Sequence, residues 1–412
     1  DATVTIDTLD INNCNWESHS IRVNKSIFTL SNGNISSIIS ENGNAGIDAS
    51  ESSSVEISNT TINSSSSGAH AMKFINVDKV SITNSSFNGN HSQYSGGVIF
   101  AEEIDSLLIE NSSFVADTSG GEGGAIQLSS KNKFVRILKS TFSNNLSNSA
   151  GAINSWNTDS LFIDNSTFDG NVSAYSGAVS INADGAISTY FEIKNSDFID
   201  NKAGVLGGAL WIGNSEGYIQ NVGIFNNESV DNFGGGIYIS ENVELTMNAV
   251  TISGNSSPEP AGEGIAIDGG NIIIKNSIIW DNHIQKNSGS IDITYSNIEG
   301  GFTGTGNIDA NPIFCDTINY LIQDTSPCVG TGENGSNMGA RGIGCYRPSS
   351  FDWVSTALDT INITKDNTGD TYDLQWSAST DADGDTIDYL VYAKIGVYPA
   401  EEIYDTTVTS VS

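Results

Sequence analysis

The sequence is poor in several residue types, and their scarcity limits the folds and partners that the chain can have. Among 412 residues there are 6 prolines, 3 methionines and 4 cysteines, and 16 basic residues stand against 49 acidic ones. The net charge of −33 argues against a nucleic-acid partner, because phosphates require a basic protein surface. It equally disfavours direct adsorption to an anionic membrane, and it suits a secreted or surface protein that stays soluble in salt.

Long apolar runs and helical periodicity are also lacking. No run approaches the 18 or so apolar residues that a transmembrane helix needs, so we expect no direct membrane insertion by this segment. No stretch has helical spacing over ten or more residues. The abundance of Ser, Asn, Thr, Gly and Ile disfavours helix further, so strands and turns must account for most of the chain.

What the sequence does contain is a repeated phrase. It reads NSSFNGNHSQYSGGVIF from Asn84 and NSSFVADTSGGEGGAIQL from Asn111. Its anchor, an aromatic or aliphatic residue, returns every 25 to 30 residues, at Ile62, Phe87, Phe114, Phe142, Phe168, Phe198, Ile224, Ile252 and Ile279. A glycine-rich cluster such as Gly123-Gly124-Ala125-Ile126 follows in most copies. Such a period indicates one structural unit stacked on the next.

The apolar residues inside each copy alternate with polar or mixed ones. Aligning three copies places Leu107 and Ile109 against Val135 and Ile137, and these against Leu161 and Ile163. Alternation is the period of a β-strand. Residues 1–310 are therefore predicted to form an all-β solenoid, a right-handed parallel β-helix of about ten or eleven coils of ~27 residues each.

Stacking explains why the phrase is repeated, because equivalent residues then form columns. The predicted interior aromatic column comprises Phe87, Phe114, Phe142, Phe168 and Phe198. A structural amide ladder at a turn is predicted for Asn84, Asn111, Asn165 and Asn195, since asparagine tolerates left-handed backbone and can pair its amide with the next coil. A second asparagine column, from Asn90 to Asn282, lies three residues after the anchor.

The two linked motifs resemble a known family. F-x-x-N followed by G-G-A-I is similar to the repeat of polymorphic outer-membrane proteins and related bacterial surface β-helices. The best copies are Phe87-Asn-Gly-Asn90 with Gly96-Gly-Val-Ile99, and Phe198-Ile-Asp-Asn201 with Gly207-Gly-Ala-Leu210. The resemblance spans about residues 20–310, although Asp117 replaces the asparagine after Phe114 and later copies have isoleucine anchors. It implies a surface β-helix, a fold that also serves polysaccharide-cleaving enzymes.

Residues 311–347 differ from the repeats and are predicted to form a cysteine-containing C-terminal cap. The segment is similar to the closing segment of many secreted bacterial β-helix proteins, and a cap would block edge-to-edge pairing. Cys315, Cys328 and Cys345 are disulfide candidates, and two of them could pair in an oxidising compartment. The sequence leaves the pair open. A zinc site is disfavoured because the spacing is not C-x₂-C and no histidine lies nearby.

Residues 348–412 resemble the first part of a fibronectin type III or cadherin-like β-sandwich. Such a module needs about 100 residues, so we expect it to be incomplete in this sequence. Its acidic turn contains Asp381, Asp383 and Asp385. Alternate carboxylates on a turn can converge on calcium, and a bare hairpin turn is the alternative. No other cofactor is expected.

Catalytic residues are not apparent in the sequence. Asn157-Thr158-Asp159 matches the N-T-D phrase of polygalacturonases, but no Asp-Asp, G-H-G or R-x-K motif follows. The basic cluster of Lys131, Lys133, Arg136 and Lys139 is interpreted as a solvated strand face, and Asp164 with Lys194 as a surface ion pair. The histidines fall at unrelated repeat positions, so neither a triad nor a metal site is implied.

These observations favour a non-catalytic extracellular surface protein: an adhesin, a stalk or a surface-fibre subunit. Its expected partners are glycans, neighbouring surface proteins or copies of itself. The alternative is a secreted polysaccharide lyase or glycoside hydrolase of the pectate-lyase-like β-helix type. Coil lengths of 25 to 30 residues leave little chain for the walls of a catalytic cleft, which favours the first interpretation.

Overall fold

A computed structural model describes residues 2–16, 21–40, 46–68, 70–185, 188–258, 262–316 and 318–345, together with two strands at 388–393 and 401–407. The chain divides into two compact units. The first comprises Asp1–Pro312 with Gly330–Arg341, and the second comprises Ile313–Val329 with Gly342–Ser412. Within the described part, the helical structure is limited to the 3₁₀ turn Glu333–Gly335.

The first unit is a right-handed parallel β-helix of about ten coils, which confirms the fold predicted from the repeat. Each strand pairs in parallel with the equivalent strand one coil away. A complete coil has four strand positions, which in one coil are Phe134–Leu138, Thr141–Ser143, Leu146–Ser147 and Ile153–Trp156. Short strands separated by turns are what a coil of this length accommodates.

Several first-position strands continue into a neighbouring position. The first-position strands are Ala2–Asn12, Ser26–Ser36, Ile47–Ser58, Met72–Thr83, Ile99–Glu110, Phe134–Leu138, Ser160–Asp164, Thr189–Lys194, Ser215–Phe225, Val243–Ser253, Asn271–Lys275 and Ser290–Thr294. Separate second-position strands are Thr61–Asn63, Ser86–Asn88, Ser113–Val115, Thr141–Ser143, Thr167–Asp169, Asp197–Ile199, Ile278–Trp280 and Asn297–Ile298. Third-position strands are Asn15–Trp16, Ile39–Ser40, Ser66–Ser67, His91–Ser92, Thr118–Ser119, Leu146–Ser147, Val172–Ser173, Lys202–Ala203 and Glu228–Ser229. Separate fourth-position strands are Ile21–Asn24, Ile126–Leu128, Ile153–Trp156, Val179–Asn182, Leu210–Ile212, Ile237–Ile239, Ile265–Ile267 and Ile284–Lys286.

The interior of the solenoid is apolar, and its register follows the alignment of the repeats. Leu107 pairs with Val135, and Val135 pairs with Leu161. All three are fully buried, whereas their neighbours along each strand point outward. A one-residue slip would turn every one of these side chains to the opposite face, so the buried alternation specifies the register.

The phenylalanine anchors form a continuous stack inside the solenoid. Phe87, Phe114, Phe142, Phe168 and Phe198 are each fully buried, with successive ring centroids 4.7, 4.7, 4.9 and 4.7 Å apart. The rings from Phe114 to Phe198 are nearly parallel, with interplanar angles of 4 to 5° between successive rings. The ring spacing is that of adjacent hydrogen-bonded strands, because each ring is held by its own coil.

A glycine column permits the close approach of successive coils beside this stack. A β-carbon added to Gly124 would overlap the carbonyl oxygen of Gly151, and one added to Gly151 would overlap that of Gly177. The same clash occurs between Gly177 and Gly208. The recurring glycine cluster therefore provides space for the backbone of the next coil.

A buried amide ladder, the second asparagine column, lies immediately before the third strand position. The side-chain Nδ2 of Asn145 donates to Oδ1 of Asn171 at 2.9 Å and to the carbonyl of Phe114 at 3.1 Å. The backbone amide of Asn145 donates to the same Oδ1 at 3.1 Å. Asn171 repeats all three bonds with Asn201 and Phe142. Each buried amide is thus fully used, and each depends on an amide in the next coil.

The four asparagines predicted to form the structural amide ladder lie outside this buried column. Asn84, Asn111, Asn165 and Asn195 are exposed residues with φ of 50, 49, 50 and 49°, at the end of the first strand. In this column Asn221 donates to Asn195 at 3.1 Å, and Asn195 donates to Asp164 at 2.8 Å. The property used at this position is therefore tolerance of left-handed backbone rather than an interior amide pair.

The serine that follows each of these asparagines forms a further ladder, which the sequence analysis missed. The backbone amide of Ser85 donates to Oγ of Ser112 at 3.2 Å, and that of Ser112 donates to Oγ of Ser140 at the same distance. Each hydroxyl in turn donates to a carbonyl two residues earlier, as Ser85 does to Thr83 at 2.8 Å. Small hydroxyl side chains thus satisfy buried backbone amides at the turn.

The segment Gly330–Arg341 lies along the outer side of the β-helix. The Gly339 amide donates to the Asn276 carbonyl at 2.7 Å, and the Ala340 amide donates to Oγ1 of Thr251 at 2.8 Å. The Arg341 guanidinium donates to Oδ1 of Asp197 at 2.7 Å. Residues 330–341, which were predicted to belong to the terminal cap, therefore hydrogen-bond to the outer side of several coils.

The second unit contains the disulfide. Cys315 and Cys345 are joined, with Cα atoms 6.0 Å apart, and Cys328 is buried outside the bridge. The strands Asp388–Ala393 and Glu401–Thr407 pair antiparallel. The rest of the predicted sandwich, and the acidic turn of Asp381, Asp383 and Asp385, lie outside the described residues.

The two asparagine columns are expected to respond differently to truncation. Asn171→Ala removes an acceptor from Asn145 and a donor from Phe142 and Asn201, so we expect a loss of about 3 kcal/mol from buried polar groups left without partners. Asn165→Ala is the matched control, and its left-handed backbone should cost only about 1 kcal/mol. Urea denaturation of both variants measures the difference. Equal losses would contradict the assignment of the buried ladder.

Asp117 is an exception within the buried ladder, because it stands where the other copies have asparagine. Its Oδ1 accepts hydrogen bonds from the backbone amide and the Nδ2 of Asn90, both at 2.9 Å. Its Oδ2 is buried with no hydrogen-bond partner. In Asn145 the corresponding Nδ2 donates to two acceptors. Burial raises the pKa of Asp117 from 3.8 to about 7, so the protonated acid is the favoured form below that pH.

Stability should therefore depend on pH through Asp117. The pKa is higher in the folded state than in the unfolded state, so this contribution is complete below about pH 4 and is lost as pH rises to about 7. Against Asp117→Asn, the parent should lose up to about 4 kcal/mol across this range. Parallel urea denaturation of the two proteins at pH 4, 5, 6, 7 and 8 tests this. Parallel pH profiles would show that Asp117 does not titrate in this window.

Candidate binding face

The outward side of the first strands carries an unusual cluster on four neighbouring coils. In register, Leu108 lies beside Arg136, and Arg136 lies beside Phe162. The row next to it places Phe134 beside Ser160 and Ser160 beside Tyr190. We define the Arg136 face as Leu108, Phe134, Arg136, Phe162, Tyr190 and the adjoining polar residues Glu110 and Asp164.

Aromatic rings on this face are exposed to solvent. Phe134 and Tyr190 are 41 and 37% exposed, and Phe162 is half-buried between them. The ring centroids of Phe134 and Phe162 are 5.0 Å apart, and those of Phe162 and Tyr190 are 6.0 Å apart. The rings are tilted by 44 and 57°, unlike the stacked rings of the interior. Grouped aromatic side chains on a polar surface mark an interaction site.

A shallow depression of about 370 Å³ is lined by Arg136, which is the register neighbour of Phe162. Four charged side chains line it: Glu110, Arg136, Lys139 and Asp164. Lys139 binds Glu110 with an Nζ–Oε1 distance of 3.0 Å, and Asp164 accepts the bond from Asn195. Among the described residues no carboxylate forms an ion pair with Arg136, whose side chain is exposed. The guanidinium therefore remains available to a ligand.

The other members of the predicted basic cluster are neutralised by the coil before them. Lys131 pairs with Glu103, and Lys133 pairs with Asp105 at 2.6 Å. These carboxylates raise the pKa of both lysines through a hydrogen bond and charge attraction. Because all these groups are exposed, such pairs add little to stability. Of the four basic residues in the predicted cluster, Arg136 is therefore the one that forms no ion pair in the described structure.

The predicted ion pair between Asp164 and Lys194 is replaced by another arrangement. The two residues are neighbours in register, but Lys194 binds Glu192 on its own strand with an Nζ–Oε2 distance of 2.5 Å. Glu192 also accepts a hydrogen bond from the Tyr190 hydroxyl at 2.7 Å, which raises the pKa of Tyr190 to about 12. Hydrogen bonds from Lys194 and Tyr190 lower the pKa of Glu192. Asp164, which lines the depression, therefore forms no ion pair with Lys194.

Residues considered for catalysis are dispersed. Thr158 is buried and Asp159 is exposed in the turn before Ser160. His70 is buried against Phe100, with ring centroids 4.7 Å apart, and burial lowers its pKa to about 4. Nδ1 of His283 lies 2.7 Å from Glu263. Within the described ranges no three His, Cys, Asp or Glu side chains are grouped so that they could hold a metal ion.

Comparison with known proteins finds a family match for one short segment of the chain. Residues 84–102 match the Chlamydia polymorphic membrane protein repeat. No curated protein matches the chain. Among solved structures, a mutant of the PL6 family alginate lyase AlyGC aligns with 77% of the chain and 56% of its own length, at 10% identity and a TM-score of 0.27. The chain thus spans little more than half of that enzyme, and so distant a similarity supports no functional conclusion. No described helix is long and apolar enough to cross a membrane.

Proposed function

We propose that the chain is a non-catalytic surface protein, an adhesin or stalk subunit, whose β-helix is displayed outside the cell. The observation that carries the proposal is the match of residues 84–102 to the repeat of polymorphic membrane proteins. The matched residues form part of one coil of a solenoid whose neighbouring coils repeat the same columns. In the named family the repeat belongs to a membrane protein, which supports a location at the cell surface.

Composition and coil geometry support the same role. A net charge of −33 keeps a protein with many exposed strands soluble. Successive anchors from Ile62 to Ile279 are 25 to 30 residues apart, which leaves little chain for the walls of a cleft, and the depression on the Arg136 face is lined by strand and turn residues. Lateral faces repeated on several coils suit many weak contacts, with glycans or with neighbouring copies, and binding to them would be multivalent.

Surface display is tested on the organism that produces the chain. Intact cells are treated with protease and probed with an antibody against the β-helix, alongside a cytoplasmic marker. We expect the β-helix signal to fall while the marker is unchanged. A β-helix signal that stays constant until the cells are lysed would contradict the proposal.

Absence of catalysis is tested with purified protein. Pectate, alginate and chondroitin, each with and without added calcium, should yield no unsaturated or reducing-end sugars, because the side chains considered for catalysis lie dispersed over the described coils. Turnover that disappears in Arg136→Ala or Asp159→Ala would instead establish the polysaccharide-cleaving alternative.

A further inference from the structure

We infer that the Arg136 face binds an uncharged oligosaccharide, which packs its sugar rings on Phe134, Phe162 and Tyr190 and places its hydroxyl groups in the adjoining depression. This inference rests on the proposed function and extends it by naming the ligand class and the residues. The described structure places the rings and the polar groups side by side, since Phe162 is the register neighbour of Arg136 and lies two residues before Asp164.

The aromatic residues provide the apolar half of the site. One face of a pyranose ring presents C–H groups, and these pack on aromatic rings in the way that other apolar groups do. Phe134, Phe162 and Tyr190 come from three successive coils, so their rings follow one another along the solenoid axis. Their centroids are 5.0 and 6.0 Å apart and the rings are tilted by 44 and 57°, so the three rings form a contiguous, stepped apolar strip. Such a row suits a chain of sugar rings better than a single compact ligand.

The depression provides the polar half. Arg136 has no ion-pair partner among the described residues, so its guanidinium can donate to ring or hydroxyl oxygens. Asp164 and Glu110 each use one carboxylate oxygen, with Asn195 and Lys139 respectively. Their remaining lone pairs can accept hydrogen bonds from sugar hydroxyls. A sugar hydroxyl both donates and accepts hydrogen bonds, so it can pair with the guanidinium as well as with the carboxylates.

Charge balance selects an uncharged ligand over a charged one. The depression is lined by two carboxylates, one guanidinium and one ammonium group, which sum to no net charge. A uronate chain would meet Glu110 and Asp164 and the field of a protein carrying −33 charges. A protein partner or second copy would have to desolvate these charged groups against a broad surface, at a cost that a wet sugar contact avoids. The volume of about 370 Å³ is at the small end for ligand sites, which range over about 300–1,000 Å³.

The test uses the full chain and defined probes. Cellohexaose, xylohexaose, mannohexaose and maltohexaose are the neutral probes, and oligogalacturonate is the acidic probe; each is titrated by isothermal calorimetry. The variants are Phe162→Ala, which removes the central ring, and Arg136→Gln, which removes the cation but keeps a polar side chain. Ile273→Ala is the matched control, because Ile273 is 39% exposed in the same outward row further along the solenoid. Thermal melting of each variant verifies folding.

We expect at least one neutral probe to bind the parent, and Phe162→Ala and Arg136→Gln each to weaken its Kd about tenfold or more. Ile273→Ala should leave the Kd unchanged. Absence of binding by every neutral probe, equal binding by the parent and both variants, or binding of oligogalacturonate alone would overturn the inference. Protease treatment of intact cells uses no glycan, so a surface-exposed protein that binds none of the neutral probes would refute this inference and leave the proposed function standing.

Discussion

Parallel stacking of one coil on the next is the constraint on which the rest of this structure depends. Each coil places its side chains one strand spacing above those of the coil before it, so every interior position becomes a column. A column is stable when each member can pack on, or hydrogen-bond with, the residues directly above and below it. Phenylalanine satisfies this by stacking, and asparagine satisfies it because its side chain is at once donor and acceptor. The repetitive sequence is a direct consequence of that requirement.

The same dependence makes the polar columns cooperative. In the amide ladder the Oδ1 of each asparagine accepts a hydrogen bond from the asparagine of the coil before it. Its Nδ2 donates a hydrogen bond to the asparagine of the coil after it. Substituting one member therefore affects two neighbours, which is why Asp117 is informative. Its Oδ1 keeps the bonds to Asn90, but a carboxylate oxygen takes the place of a donor. Burial makes ionisation of that group costly, so this one position links the stability of the solenoid to pH.

The outer faces are free of this constraint, and there the copies diverge. Charged residues on neighbouring coils pair across the strand spacing, as Lys79 does with Glu56 and Lys202 with Glu228. The Arg136 face departs from that pattern because it has exposed rings and a guanidinium with no ion-pair partner in the described structure. A residue that stacking does not require, and that no neighbour neutralises, is more informative about function than the repeated residues are.

The repeat period by itself determined the fold class, the register and the phenylalanine column, because alternation and period are carried by the order of residues alone. It could not determine which asparagine column is buried, since the columns of Asn84 and Asn90 recur with the same period and differ only in the direction that the turn gives them. Tertiary structure likewise decided the pairing of Cys315 with Cys345 and the lateral course of Gly330–Arg341. It also decided that the lysines around Arg136 are ion-paired with carboxylates of the preceding coil. Each depends on distances between residues far apart in the chain, and neither composition nor periodicity encodes those distances.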